Sequence, residues 1–186
     1  MFARKSRVGD YLGGDKWKFF YHGIGRYWLK AYNFEPTYLK ADGQPGRSTT
    51  LFELSASSVE IGYVILAILN SSLFFWFWVL YGDDFHLMPE QINSFPLDYN
   101  KGHKPLYAKL KRLVMALMHD YKKHSILKRG RYATGEITWQ EFYPRKSKAI
   151  IDQIDDLLGM IYGLSKKEVG YIKAYDSEFR TDEEDE

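Results

Sequence analysis

From Ile61 to Gly82 the chain carries no charged side chain, and this restricts its fold more than any other feature. The stretch exceeds the roughly 18 apolar residues that suggest a membrane span. Two details argue against a span. Asn70-Ser71-Ser72 falls in the middle, where three adjacent polar side chains would face several sides of one helix. The flanks carry Glu60, Asp83 and Asp84 rather than the nearby Lys or Arg of a cytoplasmic boundary. The spacing predicts two buried helices, Val59–Leu69 and Leu73–Leu80, with Ser71 or Ser72 as the N-cap of the second. No membrane association is expected. The run Phe74-Phe75-Trp76-Phe77-Trp78 is then core.

The N-terminal part, to about Ser58, is rich in aromatic and β-branched residues interrupted by Gly and Pro. Lys16–Tyr21, Tyr27–Tyr32, Thr37–Lys40 and Thr50–Leu54 read as short strands, and Asp42–Gly46 as a loop. Leu87–Ile92 opens a turn of helix, and Phe95-Pro96-Leu97 is extended. Leu106, Leu110, Leu113, Val114, Leu117, Met118 and Tyr121 recur at helical spacing, predicting a helix over Lys104–Lys123 with its lysines outward. Ser125–Tyr143 reads as a polar, basic connection. Ser147 is expected to cap a helix with Ile150, Ile151, Ile154, Leu157, Leu158 and Ile161 inward, and Asp152, Asp155 and Asp156 outward. Gly163 stops it, and Ser165-Lys166-Lys167-Glu168 is a capping box for a last short helix. The tail Asp182–Glu186 is expected to be disordered.

Charge is strongly segregated. Lys101–Lys148 holds 13 basic and 3 acidic residues, whereas Ala149–Glu186 holds 4 basic and 11 acidic. That pattern fits either a face for an anionic partner or two oppositely charged helices packed together. The absence of Cys excludes disulfides, thiolate metal sites and Cys nucleophiles, and accords with a cytoplasmic location. The N-terminus lacks the apolar segment of a secretory signal.

Catalytic motifs are sparse. Gly23-Ile24-Gly25 lacks the third glycine of a phosphate loop, and no serine elbow or zinc-protease motif occurs. Asp83-Asp84-Phe85-His86 has metal-ligand chemistry, yet a turn capped by carboxylates accounts for it more simply. Asp120-Tyr121-Lys122 has nuclease-like spacing but no strand or upstream partner. No catalytic, metal or cofactor residues are therefore expected. Arg26-Tyr27-Trp28-Leu29-Lys30-Ala31-Tyr32-Asn33 interleaves cations, aromatics and an amide. Such a set neutralises phosphates, reads base edges and stacks on unpaired bases, although it also suits an ordinary strand.

Gly25-Arg26-Tyr27-Trp28, Ala31-Tyr32-Asn33-Phe34, Leu69–Trp76, Tyr81-Gly82-Asp83 and Phe95-Pro96-Leu97 occur in an order that resembles a known family. Ile151–Leu158, Tyr162-Gly163-Leu164 and Tyr175-Asp176 through Arg180 continue it. The chain is similar to the TaqI-like C-terminal specificity domain of bacterial N6-adenine DNA methyltransferases, including combined restriction–modification enzymes. The similarity covers about Gly25 to Arg180 and is weakest over Lys101–Trp139. Where the family often has Ser-Asp-Gly, this chain has Gly82-Asp83-Asp84.

The resemblance implies an α+β target-recognition domain over residues 25–180, with 1–24 as a linker or edge segment and 181–186 as an acidic tail. A small twisted sheet from the N-terminal third would pack against the helices. Its implied partners are double-stranded DNA and an N-terminal methyltransferase domain that binds S-adenosylmethionine. The cofactor loop and base-holding motif of that domain are not found here, so no cofactor is expected on this chain and catalysis would lie elsewhere in a parent enzyme. The expected DNA-contacting residues are Arg26, Tyr27, Lys30, Asn33, Arg47, Asp83, His86, Lys104, Lys109 and Arg112. The competing reading is a helical protein-interaction module with no nucleic-acid role.

Overall fold

The computed structural model describes residues 6–25, 27–97, 99–133 and 135–175, with Asp15 and Lys101 described by backbone alone. The fold is α+β, and its strands form two three-stranded antiparallel sheets. In the first, strand β1 (Leu12–His22) lies between β2 (Ala31–Tyr32) and a later strand, Leu51–Ala56. In the second, β3 (Tyr38–Leu39) is the outer neighbour of a hairpin far along the chain. With the Leu51–Ala56 strand as β4, that hairpin is β5 (Ile126–Tyr132) and β6 (Gly135–Glu141).

Three expectations are corrected here. Within Ser125–Tyr143, read as a polar, basic connection, Ile126–Tyr132 and Gly135–Glu141 pair as a hairpin with Lys128 opposite Trp139 and Gly130 opposite Ile137. The segment up to residue 24 supplies the central strand of the first sheet, with Phe19 and Tyr21 buried, and so is neither linker nor edge. The N-terminal third does supply the first sheet, as expected, and β5 and β6 build most of a second one further along the chain. Of the strand expected over Tyr27–Tyr32, only Ala31–Tyr32 pairs.

The apolar stretch forms α1 (Val59–Leu69) and α2 (Ser72–Tyr81). Among the described residues no single helix is long and apolar enough to cross a membrane; these two pass such a test jointly but bend by 66° at their junction. Ser71 makes the break. Its hydroxyl accepts from the Phe74 amide at 3.0 Å and donates to the Ile68 carbonyl at 2.6 Å, capping one helix and closing the other. Ile65, Leu66, Phe74, Phe75 and Trp78 are all buried, so the run is core as its spacing predicts. Trp76 and Phe77 are only half-buried.

A short helix α3 (Pro89–Ser94) leads to α4 (Lys104–His124), α5 (Lys148–Tyr162) and α6 (Lys166–Ala174). Helix α4 packs against both α1 and α5, burying Leu110, Val114, Leu117 and Tyr121. Helix α5 ends at Gly163, whose φ of +67° suits glycine, and the Ser165–Glu168 capping box opens α6. Two details of α5 depart from expectation. Asp155 is 3% exposed and points inward, where its Oδ1 accepts from the Leu73 amide at the start of α2 at 3.3 Å. The Ser147 hydroxyl makes no cap bond and instead donates to Asp120 on α4 at 2.6 Å. The acidic tail lies outside the described residues.

Candidate nucleic-acid interface

The two sheets are held apart by a cleft of about 640 Å³. One wall is the body: His22 at the end of β1, Ile24, Lys30 and Thr50. The other is the inner face of the second sheet, where Tyr38, Ile137 and Trp139 lie. Strand alternation explains this face, since Tyr38 and Lys128 both pair with Trp139 and so point the same way as its indole. Gly130 leaves the indole room: a Cβ there would lie 3.0 Å from the Trp139 ring.

The walls meet at an ion pair. Lys30 Nζ lies 3.2 Å from Glu141 Oε1, and the Trp139 indole N–H donates to Glu141 Oε2 at 3.0 Å. Burial pushes the Glu141 carboxyl up, but Lys30, the indole and Lys128 outweigh it and hold the group below its ordinary range. Burial, and then the Lys30 ammonium, lower His22 to about 4 against the pull of Glu141. The imidazole is therefore neutral at pH 7. Gln140 adds two ties, accepting from the Thr37 amide at 3.2 Å and donating to Ser125 at 2.8 Å.

Beside the cleft, Ile24 forms an isolated β-bridge with His86. The Gly25 amide donates to the Phe85 carbonyl at 2.9 Å, the Leu87 amide to the Gly23 carbonyl at 3.0 Å, and the Trp78 indole to the His86 carbonyl at 2.9 Å. The Asp83–His86 turn is thus fixed against the segment leading into Tyr27–Asn33. Asp83 caps this turn, accepting from the Phe85 and His86 amides, while its other oxygen lies 2.7 Å from His86 Nδ1. The His86 ring, its own amide and the Phe85 amide lower the Asp83 carboxyl to about 2. Asp84 follows with φ of +59°, in the position where the resembling family often has glycine.

The expected contact residues fall into separate places. Tyr27 and Asn33 are half-buried and Lys30 is engaged by Glu141; Arg26 lies outside the described residues. Arg47 sits between Glu35 and Glu53, with its guanidinium 5.2 Å from the centre of the Phe20 ring. Lys104, Lys109 and Arg112 are exposed on α4, where Lys109 and Arg112 border a shallow groove beside Gln153 and Leu157 of α5. Asp120 is occupied by Ser147 and lies 3.3 Å from His124 Nδ1, and no group of three His, Asp or Glu among the described residues is placed to hold a metal ion.

Residue-by-residue reading missed the hairpin. Lys128, Arg129, Arg131 and Tyr132 lie on β5, with Arg129, Arg131 and Tyr132 exposed. The signal was the alternation of Ile137 and Trp139 with polar residues, masked by the surrounding charge. No family model, curated protein or solved structure matches the chain.

Proposed function

We propose that this chain is a target-recognition domain that reads double-stranded DNA within an N6-adenine-specific methyltransferase or combined restriction–modification enzyme of the cytoplasm. The observation that carries the reading is the joining of segments 23–25 and 85–87. It sets the start of the Gly25–Asn33 segment against the turn that directly follows Tyr81–Asp83, two of the separated segments on which the resemblance rests. Other resembling segments meet in the same way. Asn70 binds the backbone of Ala31, the Phe95 ring packs edge-on to Phe74 and Phe77, and the Tyr162 hydroxyl donates to the Pro96 carbonyl at 2.7 Å.

In this reading Asn33 and Tyr27 face base edges, the Asp83–His86 turn supports them, and Lys104, Lys109 and Arg112 position phosphates, which carry no sequence information. Lys30 and Arg47 act first as internal ties. The methyltransferase domain of the parent enzyme supplies S-adenosylmethionine and the pocket for the extruded adenine. A labelled-duplex shift assay over a range of salt tests the reading. Binding whose logarithm falls linearly with the logarithm of salt is expected. Salt-independent capture of a protein partner, with no duplex binding, would favour the interaction-module reading instead.

A further inference from the structure

The sequence assigns no role to the β5–β6 hairpin, and its geometry points to one. Arg129 and Arg131 project from the outer face of the second sheet, opposite the face that lines the cleft. Arg129 is 74% exposed, and Glu136 serves both, standing across from Arg131 and 4.0 Å from Arg129. At the root of the hairpin Lys128 and Lys146 both lie over the Tyr143 ring, 5.7 and 4.7 Å from its centre. From Lys128 to Lys146 there are five Lys or Arg and only two carboxylates. Glu141 is already committed to Lys30.

The hairpin is tied most firmly at its root, while near its tip Ala41 lies close beside Gly135. Glu141 and Gln140 tie its root to the body, and β3 pairs with no more than Thr138 and Trp139. Beyond that pairing, Arg131, Tyr132 and Ala133 are exposed. A two-stranded ribbon of this kind, with strands about 4.8 Å apart, fits a B-DNA major groove about 12 Å wide. Its charge is complementary to the phosphates on both rims.

We propose that the β5–β6 ribbon enters the major groove of duplex DNA, with Arg129 and Arg131 facing the groove and Lys128 and Lys146 on flanking phosphates. This rests on the DNA-reading function above and adds the element that approaches the groove. Arginine is the residue that bonds guanine O6 and N7 in two places at once, so Arg131 near the tip is assigned to base contact.

The test is fluorescence anisotropy of the full chain on a labelled mixed-sequence duplex across a salt series, paired with dimethyl sulfate protection of guanine N7. Arg129→Ala/Arg131→Ala should weaken binding about tenfold or more, reduce the salt slope by about two and abolish N7 protection. Lys104→Ala/Lys109→Ala should reduce the slope and leave N7 protection in place. Arg129→Gln/Arg131→Gln, which keeps a polar side chain without the charge, should reproduce the alanine result at an unchanged unfolding midpoint. If the wild-type chain binds and both arginine variants retain affinity, slope and protection, the ribbon assignment is overturned while the DNA-reading function stands. Failure of the wild-type chain to bind any duplex at low salt overturns that function and the ribbon with it. Binding to anionic phospholipid vesicles with no N7 protection on DNA overturns the groove in favour of a lipid surface.

Discussion

Asn70, at the break between α1 and α2, holds Ala31 of β2 by both of its backbone groups. Its Oδ1 accepts from the Ala31 amide at 3.2 Å and its Nδ2 donates to the Ala31 carbonyl at 3.0 Å. The same amide side chain donates to the Leu66 carbonyl and accepts from the Tyr121 hydroxyl. One buried side chain thereby joins the edge of the first sheet, the end of α1 and the last turn of α4. Removing it strands several polar groups away from water, which costs more than the bonds themselves. Asn70→Leu should destabilise the protein by about 2–4 kcal/mol in urea unfolding. A loss below 1 kcal/mol would mean that water fills the site.

Asp155 is buried, and burial raises its carboxyl to about 6 against the Ser72 hydroxyl, the Leu73 amide and Lys148. Between its ordinary value of 3.8 and about 6, the folded chain therefore holds a proton that the unfolded chain releases. Stability falls as pH rises through that window. Asp155→Asn keeps an acceptor for the Leu73 amide without the charge. It should gain on the order of 1–2 kcal/mol at pH 7 and little near pH 4, read by thermal unfolding at both.

His22 works in the opposite direction. Its imidazole, lowered to about 4, refuses a proton that the unfolded chain accepts below 6.5, so stability falls as pH drops from 6.5 to 4. The windows of His22 and Asp155 overlap, and their slopes offset each other in the native protein. His22→Gln should remove its share of the stability lost on acidification, so that the variant loses less than the wild type between pH 6.5 and 4. The half-buried ring is partly screened, so the difference should be about 2 kcal/mol or less. Parallel pH profiles for the two would refute the assignment.

Gly62 lies on the buried face of α1 against Trp17, whose ring would sit 2.1 Å from an added Cβ. Helix propensity favours alanine there by about 1 kcal/mol. The clash should win, because Trp17 is itself held between the Tyr63 and Phe19 rings, with centroids 4.9 and 5.8 Å away. Gly62→Ala should lower stability by about 1–3 kcal/mol, with a change in tryptophan fluorescence.

Asp84 adopts the left-handed conformation in the exposed Asp83–His86 turn. Glycine takes that conformation without the Cβ penalty, so Asp84→Gly should stabilise the chain by roughly 0.5–1 kcal/mol. Unfolding of the two proteins side by side checks it, and a destabilised variant would show that the carboxylate contributes to the turn.

The long apolar elements were legible because their spacing and caps agree. Val59–Leu69 starts and stops where the sequence predicts, and α4 and α6 begin at the expected residues. Phe75 is buried as expected, so Phe75→Ala should cost about 3–5 kcal/mol, whereas Trp76→Ala should cost less. The hairpin was hidden for a physical reason. Its inner face looks into a cleft rather than a dry core, so β6 is half-buried along most of its length, and the short Ile137/Trp139 alternation is all the apolar pattern it carries. Asp155 was in principle readable, since Ile151, Asp155 and Leu158 share one helical stripe, but its charge outweighed its spacing. The expected contact residues give least. Lys30 and Arg47 have internal carboxylate partners that no local pattern reveals, since Glu141 is 111 positions from Lys30 and Glu53 is six from Arg47.

Because β1 runs through the middle of its sheet, the smallest piece able to fold is longer than the stretch its motifs mark out. A truncated protein beginning at Gly25 would keep every resembling segment and lose the strand that pairs with both β2 and β4. Their backbone groups would then be left open, and the apolar side chains beneath Phe19 and Tyr21 would meet water. Unpaired edges over exposed apolar surface recruit other chains, so such a truncation should accumulate as aggregate rather than as a smaller working domain.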